Sequence, residues 1–218
     1  NWNEASKILT LKIVQNQDKW ENVPIYTIPV NIGIYTSGGK TIKKVWLNKK
    51  TESFEYRMDS EPLMVRFDEG NYLLKEWTFK LPEEELLYQV KNDDVPGRLW
   101  AIDELKTFSN SQKTTDTWSD LAVNDKFWAV REAAIRNLSE FHILKKELFH
   151  TACGDKSSKV RVAAIKALGE SGDKTMVGQF TKIFETDDSY LVMAQALLAI
   201  GKIGTKSSLG FLKEAEKV

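Results

Sequence analysis

The second half of the chain repeats itself. Gly97-Arg98-Leu99-Trp100-Ala101 with Leu105 is echoed by Val130-Arg131-Glu132-Ala133-Ala134 with Leu138. The pattern returns as Val160-Arg161-Val162-Ala163-Ala164 with Leu168, and again as Val192-Met193-Ala194-Gln195-Ala196 with Ile200. The equivalent residues Ala101, Ala134, Ala164 and Ala196 stand 33, 30 and 32 residues apart. A repeat of this length is one supersecondary unit that cannot bury its apolar face alone and stacks on its neighbours. Such a stack presents an extended surface for binding. It is seldom the place where bonds are broken.

The first half has a different period. Leu9, Leu11 and Ile13 alternate with polar residues, as do Ile28, Val30, Ile32 and Ile34, then Phe54, Tyr56 and Met58. The same alternation marks Leu63, Val65 and Phe67, and Trp77 with Phe79. A period of two puts each apolar set on one face of a strand. Ser37-Gly38-Gly39, Asn48-Lys49-Lys50, Asp59-Ser60-Glu61-Pro62 and Asp68-Glu69-Gly70-Asn71 supply turns between the runs. Close-set strands with tight turns predict an antiparallel β-sandwich. Pro24 and Pro29 lack an N–H, so the strand they flank or enter is expected at an edge or bulged there.

From Glu83 the period becomes helical. Pro82 and the acids Glu83, Glu84 and Glu85 suit a helix start, where negative charge meets the positive end of the dipole. Ile135 with Leu138, and Ile165 with Leu168, lie three apart on one helix face. The Ala-Ala pairs at 133–134 and 163–164 allow close helix approach, and Gly169, Gly172, Gly201 and Gly204 end helices or thin their contacts. The polar run from Ser109 to Thr115 reads as the loosest connection between helices. The expected fold is therefore all-β then all-α: a β-sandwich domain over 1–81, followed by an α-helical solenoid over 82–218.

Composition narrows the function. The 218 residues hold 31 Lys plus Arg and 31 Asp plus Glu, so formal charge is zero. A grip on nucleic-acid phosphates usually needs a basic excess, and none is expected here. No run of 18 apolar residues occurs, so no membrane-spanning helix is expected. Asn1-Trp2-Asn3-Glu4 begins neither with methionine nor with a signal-like basic and apolar pair of regions, and the chain reads as a segment or processed product of a longer polypeptide. Cys153 is alone, which fits the cytoplasm and leaves the periplasm open.

Candidate chemistry is sparse. His142 and His150 stand eight apart; on one helix that is about 12 Å of rise, too far to share one ion. Cys153 follows His150 by three, but reads better as a small buried hydrophobe than as a nucleophile. Glu83 to Glu85 and Asp93-Asp94 read as solvated helix starts rather than paired catalytic acids. Ser37-Gly38-Gly39-Lys40-Thr41 echoes a phosphate loop faintly, but lacks the leading glycine and lies between strands, so it reads as a hairpin turn. No catalytic, cofactor-binding or metal-ligating residue is expected in this chain. Most of the seven tryptophans are expected in the sandwich core or at the joint of the halves; Trp20, set among polar residues, is expected to be exposed and to face another part of a longer protein.

The alanine-rich, arginine-marked repeat resembles a HEAT repeat, two antiparallel helices per unit. The resemblance implies a ladder in which an aspartate of the inter-helix turn meets an arginine of the second helix. Asp125 precedes Arg131 by six and Asp155 precedes Arg161 by six; Asp187 has Met193 instead, and Arg98 has Asn92 and Asp93 before it. A ladder incomplete at both ends is expected, with helix N-capping by the aspartates as the alternative.

The order Leu9-Thr10-Leu11, Gln15-Asn16-Gln17, Val23-Pro24-Ile25, Pro29-Val30, Trp46, Phe54, then Pro62, Val65-Arg66-Phe67-Asp68 and Gly70 resembles the β-sandwich domain that follows the catalytic domain in M1-family zinc aminopeptidases. Glu85-Leu86-Leu87-Tyr88-Gln89, Asp93-Asp94-Val95-Pro96-Gly97-Arg98 and Ala101 resemble the start of that family's helical C-terminal domain. The family's H-E-x-x-H zinc helix and G-x-M-E-N loop are not in this sequence. The resemblance implies a C-terminal region that restricts access to an active site carried elsewhere. Zinc would be a cofactor of the parent only, and the partners would be the catalytic domain of the same chain and peptide substrates. Two other readings remain: an interaction scaffold of a catalytically dead M1-like protein, and a freestanding HEAT module with lyase-like or regulatory activity, which would need no sandwich.

Overall fold

The computed structural model describes residues 1–17, 23–204 and 206–215, without the side chain of Ser207. Trp20 lies outside the described residues. Six strands precede nine helices among the described residues. Contacts within the chain divide it into two compact units, Asn1–Gln89 and Val90–Val218. The helical period begins earlier, at Glu83.

The first unit holds two three-stranded antiparallel sheets. One has the order β1 (Trp2–Asn3), β2 (Ile8–Val14), β5 (Thr51–Arg57). The other has the order β4 (Gly39–Leu47), β3 (Ile28–Thr36), β6 (Met64–Phe67). Alternation produces one core from both: buried Leu9 joins Val30, Ile32, Ile34, Val45 and Leu47, with Leu11, Ile13, Phe54, Tyr56, Val65 and Phe67 packed against them. The β-sandwich expected from the period is present.

Three details differ from the sequence reading. Pro29 lies on the central strand, not an edge strand. Its partner is Trp46 on β4, and β6 pairs only with Ile32 to Tyr35, so no neighbour asks Pro29 for an N–H. The Trp77–Phe79 alternation forms no strand. Trp77 instead stacks on Phe67 at 6.1 Å and lies tilted against Phe79 at 5.9 Å, so the alternating rings pack on one another. Strand β4 has no apolar alternation, because Lys40, Lys43 and Lys44 interrupt it; it is an edge of its sheet, where lysines discourage pairing with other chains. The Ser37-Gly38 pair closes the β3–β4 hairpin as expected, with Thr36 opposite Gly39.

Helix α1 (Glu83–Asn92) begins at the acidic run, and the Glu85 carboxylate accepts the Val65 N–H of β6 at 2.8 Å. The helices of the second unit are α2 (Val95–Glu104), α3 (Gln112–Asn124), α4 (Trp128–Glu140), α5 (Lys146–Ala152), α6 (Ser158–Glu170), α7 (Val177–Thr186), α8 (Tyr190–Ile203) and α9 (Lys206–Ala215). Pairs α3–α4, α5–α6 and α7–α8 form hairpins, and α2, α4, α6 and α8 stack in sequence. Ala101, Ala134, Ala164 and Ala196 fall on those four stacked helices, and each is fully buried. Ile135, Leu138, Ile165 and Leu168 are also fully buried; each such side chain contributes about 1.5–3 kcal/mol.

The expected loose connection after Ser109 is largely helix α3. Threonine is a weak helix former, which hides a buried stripe of Thr114, Thr117, Trp118, Leu121 and Ala122 at helical spacing. The tryptophans divide more than expected: Trp118 is fully buried, while Trp46 and Trp128 are exposed. Gly172 and Gly204 adopt φ of +69° and +63° just beyond α6 and α8, the left-handed turn that ends a helix. His142 holds the same place after α4, with φ of +56°. The glycine signal was readable in sequence; the histidine was not.

Candidate functional site

The turns that lead into α4, α6 and α8 carry a continuous line of charge pairs. Arg98 pairs with Asp125 through Nη1 and Oδ2. Arg131 donates to Asp155 through Nε at 2.7 Å and Nη2 at 2.8 Å. Arg161 donates to Asp187 through Nε at 2.8 Å and Nη2 at 2.7 Å, and to Asp188 at 2.8 Å. Two-point pairing of a planar guanidinium with a carboxylate fixes orientation as well as charge.

Each arginine therefore reaches the aspartate of the following unit, not the one six residues before it. To its own unit it donates through the backbone: Arg131 Nη1 to the Asp125 carbonyl at 2.8 Å, and Arg161 Nη1 to the Asp155 carbonyl at 3.0 Å. The ladder is complete at Arg98 and stops at Met193. The aspartates also turn the chain into the helix. Their Oδ1 atoms accept the N–H of Phe127, Ser157 and Ser189, each the residue before its helix. That arrangement precedes the N-cap by two residues, so the aspartates are not N-caps themselves. Burial opposes ionisation of Asp155 and Asp187, but the arginine and backbone hydrogen bonds outweigh it and hold both below the usual carboxylate range. The same pairs raise Arg131 and Arg161.

Beside the last rung lies an open depression of about 430 Å³, walled by Lys156, Ser158, Arg161, Asp188, Tyr190 and Leu191. It is shallow and offers charge, a phenol and an aliphatic side chain, the equipment of a contact surface.

The other sequence candidates lie apart from this line. His142 and His150 do not share a helix: α4 ends at Glu140 and α5 begins at Lys146, so the break falls between them. Cys153 caps the end of α5, and burial pushes its thiol up to about 12, which keeps it protonated and unreactive at neutral pH. Glu85 is lifted by burial while it holds the Val65 N–H. Asp94 caps α2 by accepting the Gly97 N–H at 2.8 Å. Among the described residues no group of three or more His, Cys, Asp or Glu side chains could hold a metal ion.

A family model for HEAT repeats matches residues 144–217. The match spans α5 to α9 and includes the last ladder rung. No curated protein matches the chain by sequence. Among solved structures, Legionella pneumophila aminopeptidase A, determined in complex with aspartic acid, superposes with a TM-score of 0.68 at 13% identity. That superposition covers 98% of this chain and 32% of the aminopeptidase chain, so this chain spans about a third of its length. The likeness shows the fold: paired sheets followed by a helical stack.

Proposed function

We propose that this chain is the non-catalytic C-terminal region of an M1-type zinc metallopeptidase, and that it shapes and restricts access to an active site carried by a preceding catalytic domain. The observation that carries the reading is the likeness to an aminopeptidase chain, with a TM-score of 0.68 over 98% of these residues. The order of residues from Leu9 to Ala101 also resembles that family's. On this reading the sandwich occupies 1–81 and the helical domain 82–218, and substrates of the parent are peptides. On this reading the zinc belongs to the preceding domain; among the described residues here no group of three or more His, Cys, Asp or Glu could hold it, and no step runs through it. What this chain contributes is exclusion and positioning. The purified 218-residue chain, given an aminoacyl chromogenic substrate and zinc, is expected to show no turnover; turnover that follows the chain through purification would refute the assignment.

The HEAT match at 144–217 favours a second reading, a protein-interaction scaffold of a catalytically dead relative. The residues that precede Asn1 in the natural protein distinguish the two: an intact H-E-x-x-H supports the peptidase and its loss supports the scaffold.

A further inference from the structure

Strand β4 leaves one edge of its sheet open. Its ladder with β3 uses the whole of Gly39–Leu47. On β3, the Asn31 and Tyr35 carbonyls accept the N–H of Glu69 and Leu63 at 2.8 Å. Odd-numbered residues of β3 therefore turn their backbone groups toward β6, and even-numbered ones toward β4. The register then turns Gly39, Thr41, Lys43, Val45 and Leu47 toward β3. Lys40, Ile42, Lys44 and Trp46 direct their N–H and C=O groups out of the edge. A row of this length is a template for another strand.

Side chains along the row select the strand. Ile42 and Trp46 lie on the outer face, 51% and 55% exposed, with exposed Lys44 between them. Lys43 is exposed on the opposite face. Lys40 is held by Glu69 at 2.8 Å, but Lys43 and Lys44 meet no carboxylate among the described residues. We propose that β4 takes an extended acidic segment of another protein as an added strand. Two adjacent carboxylates are set against Lys43 and Lys44, and apolar side chains against Ile42 and Trp46.

A second copy of β4 does not fit. Antiparallel pairing about a two-fold axis centred on Ile42 sets Lys40 against the other copy's Lys44. Centring on Lys44 sets that residue against itself, and centring on Trp46 sets Lys43 against Lys49. Like charges directly opposite destabilise a ladder. The lysines thus turn away the chain's own edge and admit an acidic one. Run antiparallel, the matching segment reads apolar, β-branched, acidic, acidic, apolar, against Trp46, Val45, Lys44, Lys43 and Ile42 in that order. Side chains alternate between the two faces, so one carboxylate reaches a lysine on each.

The probe is the capped peptide Ile-Thr-Glu-Glu-Val-Thr, fluorescently labelled and titrated with the 218-residue chain. A Kd of about 10–100 µM is expected, with no binding of the Lys-Lys counterpart. The Lys43→Glu/Lys44→Glu variant should bind the acidic peptide about tenfold or more weakly and take the Lys-Lys peptide in its place. Ile42→Pro removes an outward N–H and spares the β3 ladder, so it should weaken binding about tenfold at parent-like melting. Ile42→Ala keeps the N–H and should weaken it less. In the complex, amide exchange should slow at Ile42 and Lys44, whose N–H groups the added strand takes. No binding at about 1 mM chain, indifference to the charge reversal, or unchanged exchange at Ile42 and Lys44 overturns the proposal. Self-association of the chain that Ile42→Pro abolishes also overturns it and assigns the edge to a second copy. Loss of peptide binding in the longer parent of the proposed function would do the same in favour of the preceding domain.

Discussion

Gly169→Ala and Gly201→Ala are the same chemical change at equivalent places of neighbouring repeats, and the structure gives them opposite signs. Alanine is a better helix former than glycine by about 1 kcal/mol, so each gains that much in an unobstructed helix. At Gly201 the new methyl meets nothing within 4 Å and the gain stands. At Gly169 the methyl would sit 2.8 Å from the Ala199 Cβ and 3.2 Å from its Cα. Carbon atoms need about 3.5–4.0 Å, so α6 and α8 must part by about 1 Å. Overpacking of this kind costs about 1–3 kcal/mol. The net for Gly169→Ala is a loss of up to about 2 kcal/mol, and the two variants should differ by about 1–3 kcal/mol. Thermal unfolding in dilute solution should place Gly169→Ala below the parent and Gly201→Ala slightly above it, at about 3–5 °C per kcal/mol for a unit of this size. Adding Ala199→Gly to Gly169→Ala removes the opposing methyl, so the double variant should lose less than the two singles together. A Gly169→Ala chain that melts at or above the parent, or two variants that shift alike, would refute the account of the α6–α8 contact.

Arg131→Met copies what the chain itself has at Met193. With a following aspartate in place it should cost about 1–3 kcal/mol, because Asp155 is left partly buried without its guanidinium. It should also flatten the acid limb of stability. Asp155 and Asp187 are lowered in the folded state, so their contribution is present above the ordinary carboxylate range and fades as pH falls through and below about 4; thermal melts from pH 6 to 2 should show a shallower fall for the variant. Glu85→Gln keeps an acceptor for the Val65 N–H without a half-buried charge. Burial raises the Glu85 carboxyl, so ionisation disfavours the fold as pH rises through and above the ordinary glutamate range, and the variant should melt higher than the parent at pH 7 and lose that advantage at pH 4. Leu168→Ala, in a fully buried site, should cost about 2–5 kcal/mol, and Ala164→Asp more, since it buries a charge between stacked helices; parent-like melting of either would contradict the repeat register.

The fold was legible wherever a period was clean. Alternation over Leu9 to Phe67 and the recurring alanines specify which face is buried, and burial is what a period records. It failed where charge or packing replaced pattern. Lysines hid β4 because an edge strand needs few apolar residues. Threonines hid α3 because two of its five buried residues, Thr114 and Thr117, are polar and β-branched. The Trp77–Phe79 alternation marked ring stacking rather than hydrogen-bonded pairing. The ladder residues could be named from their spacing, but not their partners. A six-residue interval identifies Asp125 with Arg131 in sequence, whereas the carboxylate that meets Arg131 lies 24 residues on, at Asp155. Nothing along one unit encodes the height of the next.

That forward reach gives the stack a polarity. If α7 and α8 peel away, Arg161 loses both of its carboxylates at once, while an unravelling that starts at α2 leaves Asp125 still tied to the Phe127 N–H and its carbonyl to Arg131. The cost of separation therefore depends on the end from which it begins. Pulled or digested from its C-terminal side, the helical array should give way one unit at a time, each departure stripping the guanidinium behind it.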